Sequence, residues 1–166
     1  MLLNELEPRL FLNSDIDAAL ELNNLNIPAV GELDRAQLEF LLEHSLYAFA
    51  IGDKQLHAFC ITFAPGAPYT SVNYQWFSQN YSDFVYLDRI VVSEKMRNNS
   101  LGAKLYAAVE QRMLKDRCAP ILTCEVNLNP PNTGSIRFHN RIGFSEVGQQ
   151  ESKPGLTVSL LAKKIL

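Results

Sequence analysis

The stretch Asp88-Arg89-Ile90-Val91-Val92-Ser93-Glu94-Lys95-Met96-Arg97-Asn98-Asn99-Ser100-Leu101-Gly102-Ala103 decides how the rest of the chain is read. Phe84 to Val92 has the Val, Ile and Tyr content of a strand. A polar loop follows, and Leu101 to Arg117 then predicts a helix, with Leu101, Leu105, Ala108, Val109, Arg112 and Met113 along one stripe. A loop feeding a helix in this way presents main-chain N–H groups that no helical carbonyl can satisfy. The positive end of the helix dipole lies behind them, which makes the turn a place for a phosphate or diphosphate. Arg97 adds a mobile positive charge, and Asn98, Asn99 and Gly102 tolerate the φ values of a tight turn. No Gly-Lys-Ser/Thr ends the loop and no GxGxxG is present, so neither a Walker A loop nor a dinucleotide fingerprint is indicated. A solvated strand-to-helix turn is the plain alternative.

Outward from that stretch, the spacing predicts a helix capped by Ser14 and ended by Pro28, and a second helix over Asp34 to His44. Leu46–Ile51 and Leu56–Phe63 flank Gly52-Asp53-Lys54-Gln55 as a hairpin. Residues 64–82 hold Pro65, Pro68 and many aromatics and read as a long functional loop. After the central helix come a strand over Ile121 to Asn127, a short helix over Thr133 to Arg141, and two strands, Phe144–Gln149 and Leu156–Lys163, around Pro154-Gly155. The fold class expected is mixed α/β, with helices on the faces of a mixed sheet.

The chain has 166 residues, which predicts one domain over residues 1–166. Its 47% hydrophobic and 20% charged content excludes a disordered tail. A net charge of 15 − 18 = −3 offers no global field to nucleic acid or anionic lipid. Residues 1–12 carry Glu5 and Glu7 where an export signal needs Lys or Arg, and no apolar run approaches the ~20 residues of a membrane span. Cys60, Cys118 and Cys124 form no CxxC pair and read as thiols of a reducing compartment. The expectations are therefore a cytoplasmic protein with no nucleic-acid or membrane partner, no metal, and the oligomeric state open, a homodimer included.

Arg97-x-x-Ser100-x-Gly102-Ala103, preceded by Ile90-x-Val92, resembles the acetyl-CoA-binding segment of the GNAT (Gcn5-related) N-acetyltransferases, whose pattern is Arg/Gln-x-x-Gly-x-Gly/Ala. Residues 132–144, Asn-Thr-Gly-Ser-Ile-Arg-Phe-His-Asn-Arg-Ile-Gly-Phe, resemble the Asn-x-x-Ala-x-x-x-Tyr-x-x-x-Gly-Phe block of that family. Tyr86-Leu87-Asp88-Arg89 and Cys124-Glu125-Val126-Asn127 are similar to a bacterial subgroup of acetyltransferases. The resemblance covers essentially the whole chain. It implies a mostly antiparallel sheet with helices on both faces and two splayed parallel strands, here Phe84–Val92 and Ile121–Asn127. It also implies direct acetyl transfer from acetyl-CoA to a primary amine of a small molecule or amino-acid-like acceptor.

On that resemblance the acetyl-CoA contacts are Ile90, Val91, Val92, Arg97, Asn98, Asn99, Ser100, Leu101, Gly102, Ala103, Asn127 and Asn132, with the Val92 N–H facing the thioester oxygen and Asn132 capping its helix or bonding the pantetheine arm. Glu125 is the expected base, acting directly or through water, with a pKa raised by its apolar strand. Asp88 competes, and pairing of either carboxylate with Arg89 or Arg137 is the structural alternative. His139 stands where the family often has a tyrosine acid, and it either protonates the leaving thiolate or merely packs. Asp88, Tyr74 and Trp76 are the acceptor-site candidates, and the aromatics 69–81 form either an amine cage or a packed flap. Ser100 replaces a motif glycine, which weakens binding if the position requires positive φ. That substitution and the missing tyrosine leave a second reading, an acyl-CoA-binding sensor without turnover. His44, His57 and Cys124 are read as structural.

Overall fold

The computed structural model describes residues 6–166. It contains seven strands, β1 (Pro8–Leu10), β2 (Ala48–Ile51), β3 (Ala58–Phe63), β4 (Val85–Val92), β5 (Ile121–Asn129), β6 (Ser145–Lys153) and β7 (Leu156–Lys164). Five helices accompany them, α1 (Ile16–Asn24), α2 (Arg35–Glu43), α3 (Val72–Asn80), α4 (Leu101–Asp116) and α5 (Thr133–Arg141). The hydrogen-bonded strand order is β1-β2-β3-β4-β5-β7-β6. The β1–β2, β2–β3, β5–β7 and β6–β7 pairs are antiparallel, and β4–β5 is parallel. The register between the parallel strands covers Val85↔Leu122 and Tyr86↔Thr123, while β4 runs on to Val92 and β5 to Asn129.

The chain divides into two compact units, residues 1–63 with 88–112, and residues 64–87 with 113–166. In the first, Asp34 caps α2 by accepting from Gln37 N, and Gln37 Oε1 accepts from Asp34 N, both at 2.8 Å. The hairpin turn needs Gly52 (φ +114°), since a Cβ there would lie 2.0 Å from the Gln55 carbonyl oxygen. All six residues of β3 are buried, as are Phe49, Ala50 and Ile51 of β2. Two features correct the sequence reading. α1 begins after Asp15 rather than Ser14, and that aspartate is buried against Arg9 (2.8 Å) and accepts from Leu12 N (2.8 Å). The Arg9 guanidinium holds its carboxyl below the usual range, whereas Ser14 is exposed. Arg9 also donates to the Gly52 carbonyl at 2.7 and 3.0 Å, and this fastens the unanticipated strand β1 beside β2.

The second unit holds the other correction. Residues 64–82 are not a plain loop, because α3 forms within them, capped by Ser71. Phe77 is fully buried, and the Trp76 ring covers Gly148 of β6 so closely that a Cβ there would meet Trp76 Cζ2 at 2.6 Å. Asn73 Oδ1 accepts from Gln150 Nε2 (2.7 Å), a second tie to β6. The remaining core comes from Phe84, Tyr86, Leu122, Val126, Val158 and Leu160.

Candidate active site

The first unit carries the loop. After β4 a single 3-10 turn, Glu94–Met96, leads to Arg97, and Asn98 and Ser100 both take left-handed backbone (φ +68° and +59°). The Ser100 position is thus the strained case, where the motif glycine would sit without a steric cost. Asn99 holds the turn by donating from Nδ2 to the Met96 and Arg97 carbonyls at 3.2 and 3.3 Å. The bond from Lys104 N to Ser100 O (3.0 Å) begins the helical ladder, so the amides of Leu101, Gly102 and Ala103 precede it and have no partner within α4. Gly102 has ordinary helical backbone, so its value at this point is its lack of a side chain. Residues 97–100 are exposed. Arg97 is only lightly held, with Nη2 3.5 Å from Asn26 Oδ1 and Nη1 4.0 Å from Glu94 Oε1. Lys104 is committed elsewhere, to Glu7 Oε1 (2.6 Å) and the Leu6 carbonyl (3.1 Å). The residues present therefore fit a diphosphate: amides at a helix start, a loosely held guanidinium and, among the described residues, no carboxylate nearer than Glu94 on that arginine.

Ile90, Val91 and Val92 end β4, Val91 buried and its neighbours half-buried, and Ser93 N donates to the His57 carbonyl at 2.8 Å. Asp88 is not available as a base or acceptor ligand. Its Oδ2 lies 3.1 Å from Arg89 Nε, and both side chains are at most 10% exposed. Arg89 reaches further to Asn23 Oδ1 (2.8 Å) and the Gly31 carbonyl (3.2 Å), which makes Asp88 part of a structural network in the first unit. The ion-pair alternative holds for this carboxylate.

The second unit carries the other candidates. Glu125, half-buried on β5, accepts from the Tyr86 hydroxyl through Oε2 at 2.7 Å. Sequence reasoning missed this partner. Tyr86 lies on a different strand, and the signal that could have found it is a tyrosine in an otherwise aliphatic core strand, whose hydroxyl needs an acceptor. Asn132 caps α5 by accepting from Ser135 N (3.1 Å), and its own N–H bonds the Asn127 carbonyl (3.0 Å).

His139 is 4% exposed, between Phe138 and Phe144 (ring centroids 5.2 and 5.5 Å). Its Nδ1 donates to the Ser135 carbonyl at 2.7 Å, and burial pushes its pKa down. A neutral, enclosed imidazole is a poor proton donor near pH 7, so the geometry favours the packing alternative. Tyr74 is 3% exposed, donates to the Ala64 carbonyl (2.6 Å) and accepts from Ala67 N (3.0 Å). These bonds and its burial fit the packed-flap alternative for the segment. Trp76 is half-buried and seated on Gly148. Among the described residues no group of three or more His, Cys, Asp or Glu can hold a metal ion, and no helix is long and apolar enough to cross a membrane.

Residues 32–144 match the model of the Acetyltransferase (GNAT) family. The chain belongs to that family. A search of curated protein sequences returns no match. Among solved structures, this GNAT domain is similar to the ribosomal-protein-S18-alanine N-acetyltransferase from Escherichia coli (TM-score 0.70, 18% identity, 95% of this chain and 92% of that one). It is similar to an aminoglycoside 6'-N-acetyltransferase complexed with coenzyme A (TM-score 0.71, 16% identity, 96% and 97% covered). It also resembles a chain of the NatC complex bound to Gag peptide and CoA (TM-score 0.74, 9% identity, 96% and 98% covered). At such identities the likeness is one of fold. As a GNAT protein the chain is an acyltransferase, of a family that uses acetyl-CoA.

Proposed function

We propose that this GNAT domain, working as one domain over residues 1–166, moves an acetyl group from acetyl-CoA directly to the primary amine of a small-molecule or amino-acid-like acceptor. The observation that carries the reading is the run of amides at the start of α4, which follows the exposed residues 97–100 and has no intrahelical acceptors. Leu101, Gly102 and Ala103 N–H groups take the diphosphate, Arg97 adds charge, and the Val92 N–H polarises the thioester carbonyl. Glu125, directly or through water, takes a proton from the acceptor's ammonium. The freed nitrogen attacks the carbonyl carbon, so a C–N bond forms, the C–S bond breaks and the electron pair leaves on sulfur. The nitrogen's second proton and the thiolate's proton exchange with water, since an alkyl thiol with pKa ~8.5 leaves readily as thiolate. This scheme needs no proton from His139. The three cysteines form no disulfide, which supports a cytoplasmic setting.

Titration with acetyl-CoA tests the binding step. Saturating ligand at a hundredfold excess over Kd should stabilise the fold by ~2.7 kcal/mol, and no heat or thermal shift at millimolar ligand would remove the proposal. A screen for CoA release with amino acids, polyamines, aminoglycosides and peptide N-termini then identifies the acceptor. The strained backbone at Ser100 keeps a second reading, an acyl-CoA sensor, and binding without release under every amine would select it.

A further inference from the structure

We propose that Tyr86 is a positioning residue for this transfer: its phenol fixes the Glu125 carboxylate in the rotamer from which it takes the acceptor's proton. The inference rests on Glu125 being the base. The β4–β5 register pairs Tyr86 with Thr123, and Thr123 Oγ1 donates to the Val85 carbonyl at 3.0 Å, which fixes the strand offset. Glu125 lies two residues beyond Thr123, on the same face, within reach of a long side chain on the diagonal. Tyr86 itself is fully buried, with Tyr74 and Phe77 at ring distances of 5.5 and 5.8 Å. Tyr74 is in turn held through its hydroxyl by the Ala64 carbonyl and Ala67 N. The donor is therefore rigid, while glutamate is a flexible side chain with several accessible rotamers. Neighbouring core positions, Phe77 and Phe84, carry rings without a hydroxyl, so aromatic packing alone does not call for one at 86. Each carboxylate oxygen carries two lone pairs, so accepting the phenol's hydrogen bond at Oε2 is compatible with taking a proton.

The test compares Tyr86→Phe, Glu125→Gln and the double variant, using acetyl-CoA and the fastest amine of the release screen. Tyr86→Phe should leave the acetyl-CoA Kd within twofold, lower kcat about tenfold, and move the acid limb of the rate profile up by about one pH unit. Loss of a donor to a carboxylate makes it protonate more easily, hence that sign. In the Glu125→Gln background the same change should cost less than twofold. Equal losses in both backgrounds, or an unmoved rate and limb, would overturn the proposal. If Glu125→Gln alone leaves rate and limb intact, the base assignment fails, and this inference goes with it. An acceptor-free arm separates the two failures: with [13Cδ]glutamate-labelled protein, the carboxyl line lost in Glu125→Gln should titrate about one unit higher in Tyr86→Phe, and an unchanged midpoint refutes the coupling. Should Tyr86→Phe not fold, 3-fluorotyrosine incorporation into the unmutated chain supplies a more acidic phenol and should lower that midpoint; no shift refutes the coupling equally.

Discussion

Residues 97–100 of the first unit lie in solvent, two of them in left-handed backbone, and the amides that follow precede the helical ladder of α4. Tyr86 and Glu125 of the second unit are enclosed or half-enclosed and already bonded to each other. In the proposed mechanism the loop binds through main-chain groups, which a helix start supplies whatever its side chains. In that mechanism the pair handles protons through side chains on two strands, so one substitution removes either group.

Glu125→Gln sharpens the contrast most. It should lower turnover at least a hundredfold with acetyl-CoA affinity nearly intact, measured by CoA release and calorimetry. Arg97→Ala should weaken acetyl-CoA about tenfold at low salt and less at high salt, because an exposed charge is screened. Equal affinity would place the phosphates elsewhere and break the comparison. Ser100→Gly relieves the left-handed strain and should stabilise the fold by ~0.5–1 kcal/mol, seen as a higher Tm. A fall in Tm would show that the serine side chain contributes to the loop. The smallest effect concerns the second unit alone. His139 has its folded pKa lowered by burial, so the unfolded chain binds more protons below its ordinary value near 6.5. Stability should fall as pH drops from 7 through 6, and His139→Gln should flatten that slope in denaturant titrations.

Much of the fold was legible. The helix over Asp34 to His44, the Gly52 turn, the amphipathic α4 and the Asn132 cap are local signals, and each element formed within a few residues of its expected place. α3 was not legible because Val72-Asn-Tyr-Gln-Trp-Phe-Ser-Gln-Asn80 lacks a helical apolar repeat. It is held instead by Trp76 on Gly148 and Asn73 on Gln150, contacts far away in sequence. β1 is three residues long and depends on Arg9 reaching the Gly52 carbonyl. The site divides in the same way. Arg97 to Ala103 could be read in order, but Asp88 and Glu125 are both acidic residues on neighbouring strands with equal claims in one dimension.

Local chemistry along the chain settled the strand-loop-helix segment, the hairpin and the family pattern, because caps, glycine turns and helical periodicity act over a few residues. Tertiary packing alone decided that Arg89 occupies Asp88, that burial neutralises His139, and that a phenol on β4 holds Glu125 on β5. Partner choice and desolvation depend on which distant residues fold back beside a group, and spacing in the sequence carries no such information.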